Sequence, residues 1–135
     1  MAVKAKVLQF ATTLHEDGRA AAEEHEPAAL PGEWTAEHLV LFALAKCSLT
    51  SLGHFARQRG ASAEGSATTR GTVTRVEEED AYRFVEIEID LDVRLEPEPD
   101  ELPELLQRAE WGCFIGQSLK SKPRYRWRVN GREAA

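Results

Sequence analysis

The spacing of apolar and polar residues predicts a hairpin at the start of the chain. Apolar and basic residues alternate loosely over Val3–Phe10, as in a half-buried strand, and Asp17-Gly18 is a tight-turn signal. We therefore predict two paired strands, Val3–Thr13 and Arg19–Glu24. The prolines and the glycine of His25–Glu33 then predict an irregular connection.

A long helix is predicted next, from Ala36 to Arg59. Thr35 is its predicted N-cap, Glu37 suits the positive end of the helix dipole, and Gly60 suits the residue that follows the helix. Apolar side chains cover nearly every face of its first half, which indicates that protein surrounds the helix. A helix of this length spans about 36 Å. That is more than one domain of this size can enclose, so we expect a second subunit to cover it.

The clearest pattern is the strict alternation of apolar and charged residues within Tyr82–Leu95, which predicts a strand with one buried face and one face in water. We expect it to form a long hairpin with a strand over Ser66–Glu78, across a turn at Glu79-Asp80. Phe84 is out of phase with the alternation, which indicates a bulge or an edge contact.

The last part of the chain predicts a short helix, a helical turn and a final strand. After an acidic, proline-rich linker, a helix carries its apolar residues on one face, Gly112 interrupts it, and Cys113–Leu119 resumes as a helical turn. Arg124–Val129 alternates basic and apolar residues as a strand does. Its basic face would complement the acidic face of Tyr82–Leu95, although two independently solvated faces fit equally well. The element order ββαββααβ predicts one α+β domain over residues 1–135, with antiparallel pairing.

Composition narrows the range of partners. Seventeen basic residues against 23 acidic ones give a net charge of -6. This charge repels phosphate backbones and anionic lipids, so we expect no nucleic-acid and no membrane partner. The longest unbroken apolar run, Leu39–Ala45, is too short to span a bilayer. The start of the chain lacks the apolar stretch of a signal peptide, which predicts a cytoplasmic protein.

Two cysteines are the candidates for chemistry. Because there is no CxxC pair and no histidine at metal-ligand spacing, we expect neither a metal site nor a cofactor. Cys47 lies in the long helix and Cys113 follows the break at Gly112, and each could be either a packing residue or a redox group. His54 lies about 10 Å along the helix from Cys47, too far for the nucleophile–base contact of a cysteine hydrolase.

Both cysteines lie in segments with a recognisable pattern. Residues 34–50 read WTAEHLVLFALAKCSLT, in which a glutamate, an Ala-Leu-Ala approach and a cysteine are spaced as in Pro-Glu-x-Leu-Leu-x-x-Ala-Leu-Ala-x-Cys. Cys113 opens a second segment, Cys-x-Ile-x-x-Ser-Leu. Together they resemble the superfamily of osmotically induced protein C (OsmC) and organic hydroperoxide resistance protein (Ohr), from Thr35 onward. This sequence departs from the family pattern at three positions, with Ala36 and Phe114 in place of proline and Gly116 in place of serine or histidine.

The resemblance implies an OsmC-like fold, in which antiparallel sheets pack on a long central helix within an intertwined homodimer. It also implies a thiol peroxidase for organic hydroperoxides, in which Cys47 becomes a sulfenic acid and Cys113 resolves it to a disulfide. A low-molecular-weight thiol or a protein dithiol would then reduce the disulfide. Arg19 is the best match to the family's N-terminal arginine and would help to ionise Cys47, while Glu37 would orient its guanidinium. An apolar substrate pocket is suggested by aromatic residues that could equally belong to a core: Trp34, Phe42, Trp111 and Phe114.

Helix geometry adds one expectation about Glu37. Ten positions along one helix separate it from Cys47 by about 15 Å, so we expect the two residues to meet only across a dimer. Alternatively, Glu37 only stabilises its own helix N-terminus, by about 0.3–1 kcal/mol.

Two other functions stay open at this point. One is a non-catalytic OsmC-like module that binds a small hydrophobic molecule or a thiol. The other is a thioester hydrolase of the hot-dog type, which the second helix beside Cys113 disfavours.

Overall fold

The computed structural model describes residues 5–134, and the chain divides between Glu37 and His38 into two compact units. The first unit contains a three-stranded antiparallel sheet in the order β1-β2-β3. Its strands are short: β1 is Thr12–Leu14, β2 is Arg19–Ala22 and β3 is Ala28–Ala29.

The predicted first hairpin is present, but it is shorter than expected. Its turn contains Gly18 in the left-handed region, at a φ of 89°, which glycine adopts without strain. The strand prediction is wrong over residues 5–11, which are exposed and irregular, so their alternation creates no buried face. Residues 3–4 of that prediction lie outside the described residues. The irregular connection is also wrong at Ala28–Ala29, because these two residues pair with the start of β2.

The long helix, α1, covers Ala36–Gln58 and confirms the prediction closely. It ends at a Schellman motif, in which Gly60 has a φ of 74° and Ala61 N donates a hydrogen bond to Ala56 O at 3.0 Å. Within the chain, most residues of its other faces are only partly covered or exposed. One stripe is buried: Leu44, Ser48, Ser51, Leu52 and Ala56.

By length and composition alone, α1 is long and apolar enough to cross a membrane. The unbroken apolar run Leu39–Ala45 is much shorter than the helix, so its length alone does not reveal this property of the whole helix. The buried stripe belongs to the same core as the sheet of the second unit, and two of its five residues are serines. This arrangement is typical of the core helix of a globular domain.

Strands β4 (Ser62–Val76) and β5 (Ala81–Glu96) form the long antiparallel hairpin that the alternation predicts. The register shifts after Thr72, where β5 carries an extra residue beside Phe84, so the predicted bulge is confirmed. Gly71 makes room for it, because a Cβ at this position would lie 2.6 Å from the Phe84 ring. Five of the six residues of the predicted apolar face of β5 are fully buried: Ile87, Ile89, Leu91, Val93 and Leu95. The sixth, Val85, lies at the bulge and is only partly buried.

Strand β6 (Arg124–Val129) pairs with β5 in parallel, so the prediction of purely antiparallel pairing is wrong here. The connection over residues 97–123 contains two helices and is long enough to return the chain to the same end of the sheet, as parallel pairing requires. An Asn130-Gly131 turn then leads into β7 (Arg132–Ala134), which pairs with β6 antiparallel. The sequence prediction missed β7, although Asn-Gly is a hairpin signal. The sheet order is β4-β5-β6-β7.

Helices α2 (Leu102–Trp111) and α3 (Phe114–Ser118) lie in this connection, separated at Gly112 as predicted. An ion pair of 3.1 Å joins Arg59, just after α1, to Glu104 in the first turn of α2. The predicted apolar face of α2 enters the core through Leu105, Leu106 and Ala109.

The acidic face of β5 meets the basic face of β6, which confirms the predicted complementarity. Arg124 Nη2 lies 2.9 Å from Glu86 Oε1 and 3.3 Å from Glu88 Oε2, and Arg126 Nε lies 3.9 Å from Asp90 Oδ1. These pairs are largely exposed, so each contributes only about 0–1 kcal/mol to the free energy of unfolding.

Candidate active site

Cys47 lies near the middle of α1, at the border of the buried stripe. Its side chain is half-buried, whereas the next residue, Ser48, is buried almost completely. The thiol therefore lies at the edge of the buried core within a single chain.

Cys113 is fully buried and lies at the junction of α2 and α3. The backbone at this junction approaches α1 closely, since a Cβ on Gly112 would lie 2.9 Å from Ser51 Oγ. Ser51 Oγ also donates a hydrogen bond of 2.7 Å to the carbonyl of Ala109 in α2. These contacts hold the junction, and with it Cys113, against the middle of α1.

The two thiols therefore lie side by side, although 66 positions separate them in sequence. Burial raises the pKa of the Cys47 thiol above its ordinary value, and the neighbouring Cys113 raises it further. The backbone N–H groups of Ile115 and Phe114 lie near the Cys47 sulfur and act in the opposite direction, because they favour the thiolate. The start of α3 thus provides two donors for negative charge on Cys47.

The sequence does not predict these two N–H groups as neighbours of Cys47, because they belong to a different helix. A signal was present in the short helical segment that follows Cys113, whose first N–H groups have no partner within their own helix. What the sequence does not show is that this segment faces Cys47.

A serine hydroxyl and a backbone N–H group donate to the second thiol. Ser48 Oγ donates to Cys113 Sγ at 3.5 Å, Gly116 N donates to the same sulfur at 3.3 Å, and Ser48 Oγ lies 3.2 Å from the Tyr125 hydroxyl. Burial is the largest cause that raises the pKa of Tyr125, so this hydroxyl stays protonated. Neither Ser48 nor Tyr125 was singled out from the sequence, because nothing local links them to Cys113.

The two remaining catalytic candidates belong to the first unit. Arg19 opens β2 in the first unit, where its Nη2 lies 3.5 Å from the carbonyl oxygen of Pro27. Glu37 lies in the first turn of α1, and the unbroken helix keeps it about 15 Å along the axis from Cys47. The participation of both residues stays a prediction.

The four aromatic pocket candidates all expose much of their side chains. Trp111 and Phe114 flank the junction that holds Cys113, and they are 69% and 61% exposed. Phe42 of α1 lines a cavity of about 240 Å³ together with His38 and residues of β4. Trp34 belongs to the first unit. Their participation in a substrate pocket stays a prediction.

The part of the chain that the structure describes contains no candidate metal-binding site. Within residues 5–134, no three histidine, cysteine or acidic side chains are grouped so that they could hold a metal ion.

Comparisons with known proteins identify the fold. The chain is similar over 93% of its length to an OsmC-like protein of Mycoplasma pneumoniae, with a TM-score of 0.68, 15% identity and 99% of that chain covered. It is also similar to an organic hydroperoxide resistance protein OsmC of Legionella pneumophila, with a TM-score of 0.61 and 14% identity over 93% of this chain and 98% of that one. A third solved structure, the organic hydroperoxide resistance protein OhrB of Bacillus subtilis, has a TM-score of 0.57 and 12% identity over 91% and 98%. A search of curated proteins found no match.

A family model places these similarities in one group. The model of the OsmC-like proteins matches residues 29–128, which contain α1, the long hairpin, both cysteines and most of β6. The α+β architecture, with two sheets and a long helix, matches that of the solved OsmC-like protein. The chain therefore belongs to the OsmC-like protein family.

Proposed function

We propose that this protein is a thiol-dependent peroxidase that reduces organic hydroperoxides through Cys47 and Cys113. One observation carries the proposal: a half-buried thiol near two backbone N–H groups lies directly against a second, fully buried thiol. This arrangement suits a reaction in which the accessible thiol meets the oxidant and the buried thiol reacts only with the product. Two of the similar proteins described above are named for organic hydroperoxide resistance.

The first step oxidises Cys47. Its thiolate attacks the distal oxygen of the hydroperoxide, the O–O bond breaks, and the alkoxide leaves as the alcohol after taking up a proton. Cys47 is left as a sulfenic acid, two electrons more oxidised. The N–H groups of Phe114 and Ile115 stabilise the thiolate that this step needs, against the burial that raises the pKa of Cys47.

The second step uses Cys113. Its sulfur attacks the sulfur of the sulfenic acid, an S–S bond forms, and the hydroxyl leaves as water with the proton of the Cys113 thiol. A low-molecular-weight thiol or a protein dithiol then reduces the disulfide by two successive exchanges and is itself oxidised. The buried position of Cys113 protects it from direct oxidation by the peroxide.

We further propose that the active protein is a homodimer with composite sites. The faces of α1 that its own chain leaves uncovered would pack against the α1 of a partner subunit. Antiparallel packing would bring Glu37 of one subunit toward Cys47 of the other, where Glu37 orients Arg19 and the guanidinium stabilises the thiolate. Apolar surface for the organic part of the substrate would come from Trp34, Phe42, Trp111 and Phe114.

The raised pKa of Cys47 favours one alternative, a non-catalytic OsmC-like module that binds a hydrophobic molecule or a thiol. In that protein the thiol would stay protonated and unreactive near neutral pH. The adjacent buried thiol and the two backbone donors favour the peroxidase instead.

Counting free thiols after addition of an alkyl hydroperoxide distinguishes the two functions. A peroxidase loses both thiols of each chain rapidly, whereas a binding module keeps both. A Cys47→Ser variant is the matched control and should keep its remaining thiol. Rapid loss of Cys113 in that variant, or no thiol loss in the unmodified protein, would refute the proposal.

A further inference from the structure

Ser48 is a buried polar residue within an otherwise largely apolar stripe. A buried hydroxyl is costly unless it is hydrogen-bonded. Ser48 has two side-chain partners: its Oγ donates to Cys113 Sγ at 3.5 Å and lies 3.2 Å from the Tyr125 hydroxyl. Ser48 Oγ therefore bridges the Tyr125 hydroxyl and the Cys113 sulfur. The result is a chain of hydroxyl groups that ends at the buried thiol.

Tyr125 is held firmly in this chain. Its ring stacks on Trp127 with the centroids 6.0 Å apart and the planes within 8°. Trp127 Nε1 donates to Glu110 Oε2 at 2.8 Å, and the carbonyl of Glu110 accepts a hydrogen bond from Cys113 N at 3.3 Å. The same residue of α2 therefore positions both the backbone of the thiol and, through Trp127, the tyrosine.

Gly116 leaves room for the tyrosine hydroxyl. A Cβ at this position would lie 3.0 Å from Tyr125 Oη, which is closer than an ordinary contact. The hydroxyl thus occupies space that a side chain at residue 116 would otherwise enter, and the N–H of Gly116 is the second donor to Cys113 Sγ.

We propose that Ser48 and Tyr125 form a hydroxyl relay that positions Cys113 for attack on oxidised Cys47, with Tyr125 acting through Ser48. The inference rests on the proposed function for the oxidant, but the relay applies to any oxidised form of Cys47. Cys113 attacks as the thiolate: its sulfur bonds to the Cys47 sulfur, and the group on Cys47 departs with the bonding electrons and takes up the proton that the Cys113 thiol has lost, as water from a sulfenic acid or as thiopyridone from a thiopyridyl disulfide. Donors from Ser48 and Gly116 stabilise the thiolate that Cys113 must form before it attacks.

Dithiodipyridine tests the relay without a peroxide. This aromatic disulfide attaches a thiopyridyl group to the accessible Cys47 and releases one thiopyridone, which absorbs light. Attack by Cys113 then forms the Cys47–Cys113 disulfide and releases a second thiopyridone. The first phase reports Cys47 and the second reports Cys113, so a Cys113→Ser variant should show the first phase only.

We expect Ser48→Ala to slow the second phase about tenfold, because one hydrogen bond to a developing charge is lost. Tyr125→Phe keeps the stacked ring and should slow the second phase about threefold, because the Tyr125 hydroxyl acts on Cys113 through Ser48. The first phase should keep its rate in both variants. Tyr82→Phe is the matched control, because Tyr82 is exposed and is the only other tyrosine of the chain. Second phases at the unmodified rate in Ser48→Ala and Tyr125→Phe would overturn the inference.

A double-variant cycle separates positioning from a general effect on structure. Gly116→Ala should slow the second phase in the unmodified protein, because its methyl group displaces the tyrosine hydroxyl. It should have little further effect in Tyr125→Phe, where that hydroxyl is absent. Additive effects would contradict the relay. If the hydroperoxide removes no thiols but the variants still slow the second phase, the relay stands and the peroxidase proposal alone fails.

Discussion

The two cysteines are neighbours, but they differ in burial and in the groups that surround them. Cys47 is half-buried on a long helix, and its sulfur meets backbone N–H groups of α3. Cys113 is fully buried at a helix junction, and its sulfur meets a serine hydroxyl and the N–H of its own helical turn. Both residues are cysteines, so their different burial decides which thiol meets an outside reagent first.

Exchanging each cysteine for serine has the largest expected effect on this comparison. Cys47→Ser should abolish hydroperoxide consumption, because the only accessible thiol is lost. Cys113→Ser should still reduce one equivalent of hydroperoxide and then stop at a Cys47 sulfenic acid, which a dimedone label detects by mass spectrometry. The opposite pattern, with first turnover lost only in Cys113→Ser, would reverse the two assignments.

Mixing subunits tests whether Glu37 serves the Cys47 of its partner. If sites are shared across a dimer, a Cys47→Ser subunit combined with a Glu37→Gln subunit regains one intact site, and activity rises above that of either parent. The matched control combines Cys47→Ser with Cys113→Ser. It should regain no full turnover, because the structure places these two thiols together within one chain. No gain from the first mixture would contradict the composite site.

Gly112→Ala should disturb the burial of Cys113 while Cys47 keeps its place. The added Cβ would lie 2.6 Å from the Phe55 ring, so the free energy of unfolding should fall by about 1–3 kcal/mol, as overpacking does. Urea unfolding measures the change. Gly53→Ala is the control on α1, because its Cβ meets only the flexible end of Arg57 and should stabilise the helix by up to about 1 kcal/mol. An unchanged stability in Gly112→Ala would show that the junction is loosely packed.

The smallest expected effect is a pH dependence of stability from Cys47. Burial raises the pKa of this thiol in the folded protein, so folding favours the neutral thiol. The resulting stabilisation is fully present below the ordinary thiol pKa of about 8.5 and is lost as pH rises through the higher folded value. The thermal midpoint of the fully reduced protein should fall over this window more steeply than that of Cys47→Ser. Parallel pH profiles would contradict the raised pKa.

The elements that the sequence predicts well are those whose pattern is local. The bounds of α1 follow from its apolar run and Gly60, and the buried face of β5 follows from a strict period of two. The parallel pairing of β6 could not be read from residues 124–129, because strand direction depends on the path of the whole connection. The short strands β3 and β7 have too few residues to show a period.

The residues of the candidate site also divide into those that a local sequence pattern identifies and those that it does not. The sequence identifies both cysteines and Glu37, because each lies in a segment with a recognisable local pattern. The N–H groups of Phe114 and Ile115, Ser48 and Tyr125 could not be assigned, because they reach the thiols from elements that are distant in sequence. Only packing of α3 and β6 against α1 brings them together.

The connection between β5 and β6 also sets an order of assembly. The hairpin of β4 and β5 closes over a short turn, whereas β6 pairs with β5 only after residues 97–123 have crossed over the sheet. Contacts distant in sequence cost more chain entropy to form and so form later. During folding, α1 and the hairpin therefore form before Cys113 and Tyr125 reach their places beside α1. During that interval Cys47 is a solitary thiol, and its pairing with Cys113 belongs to the last stage of folding.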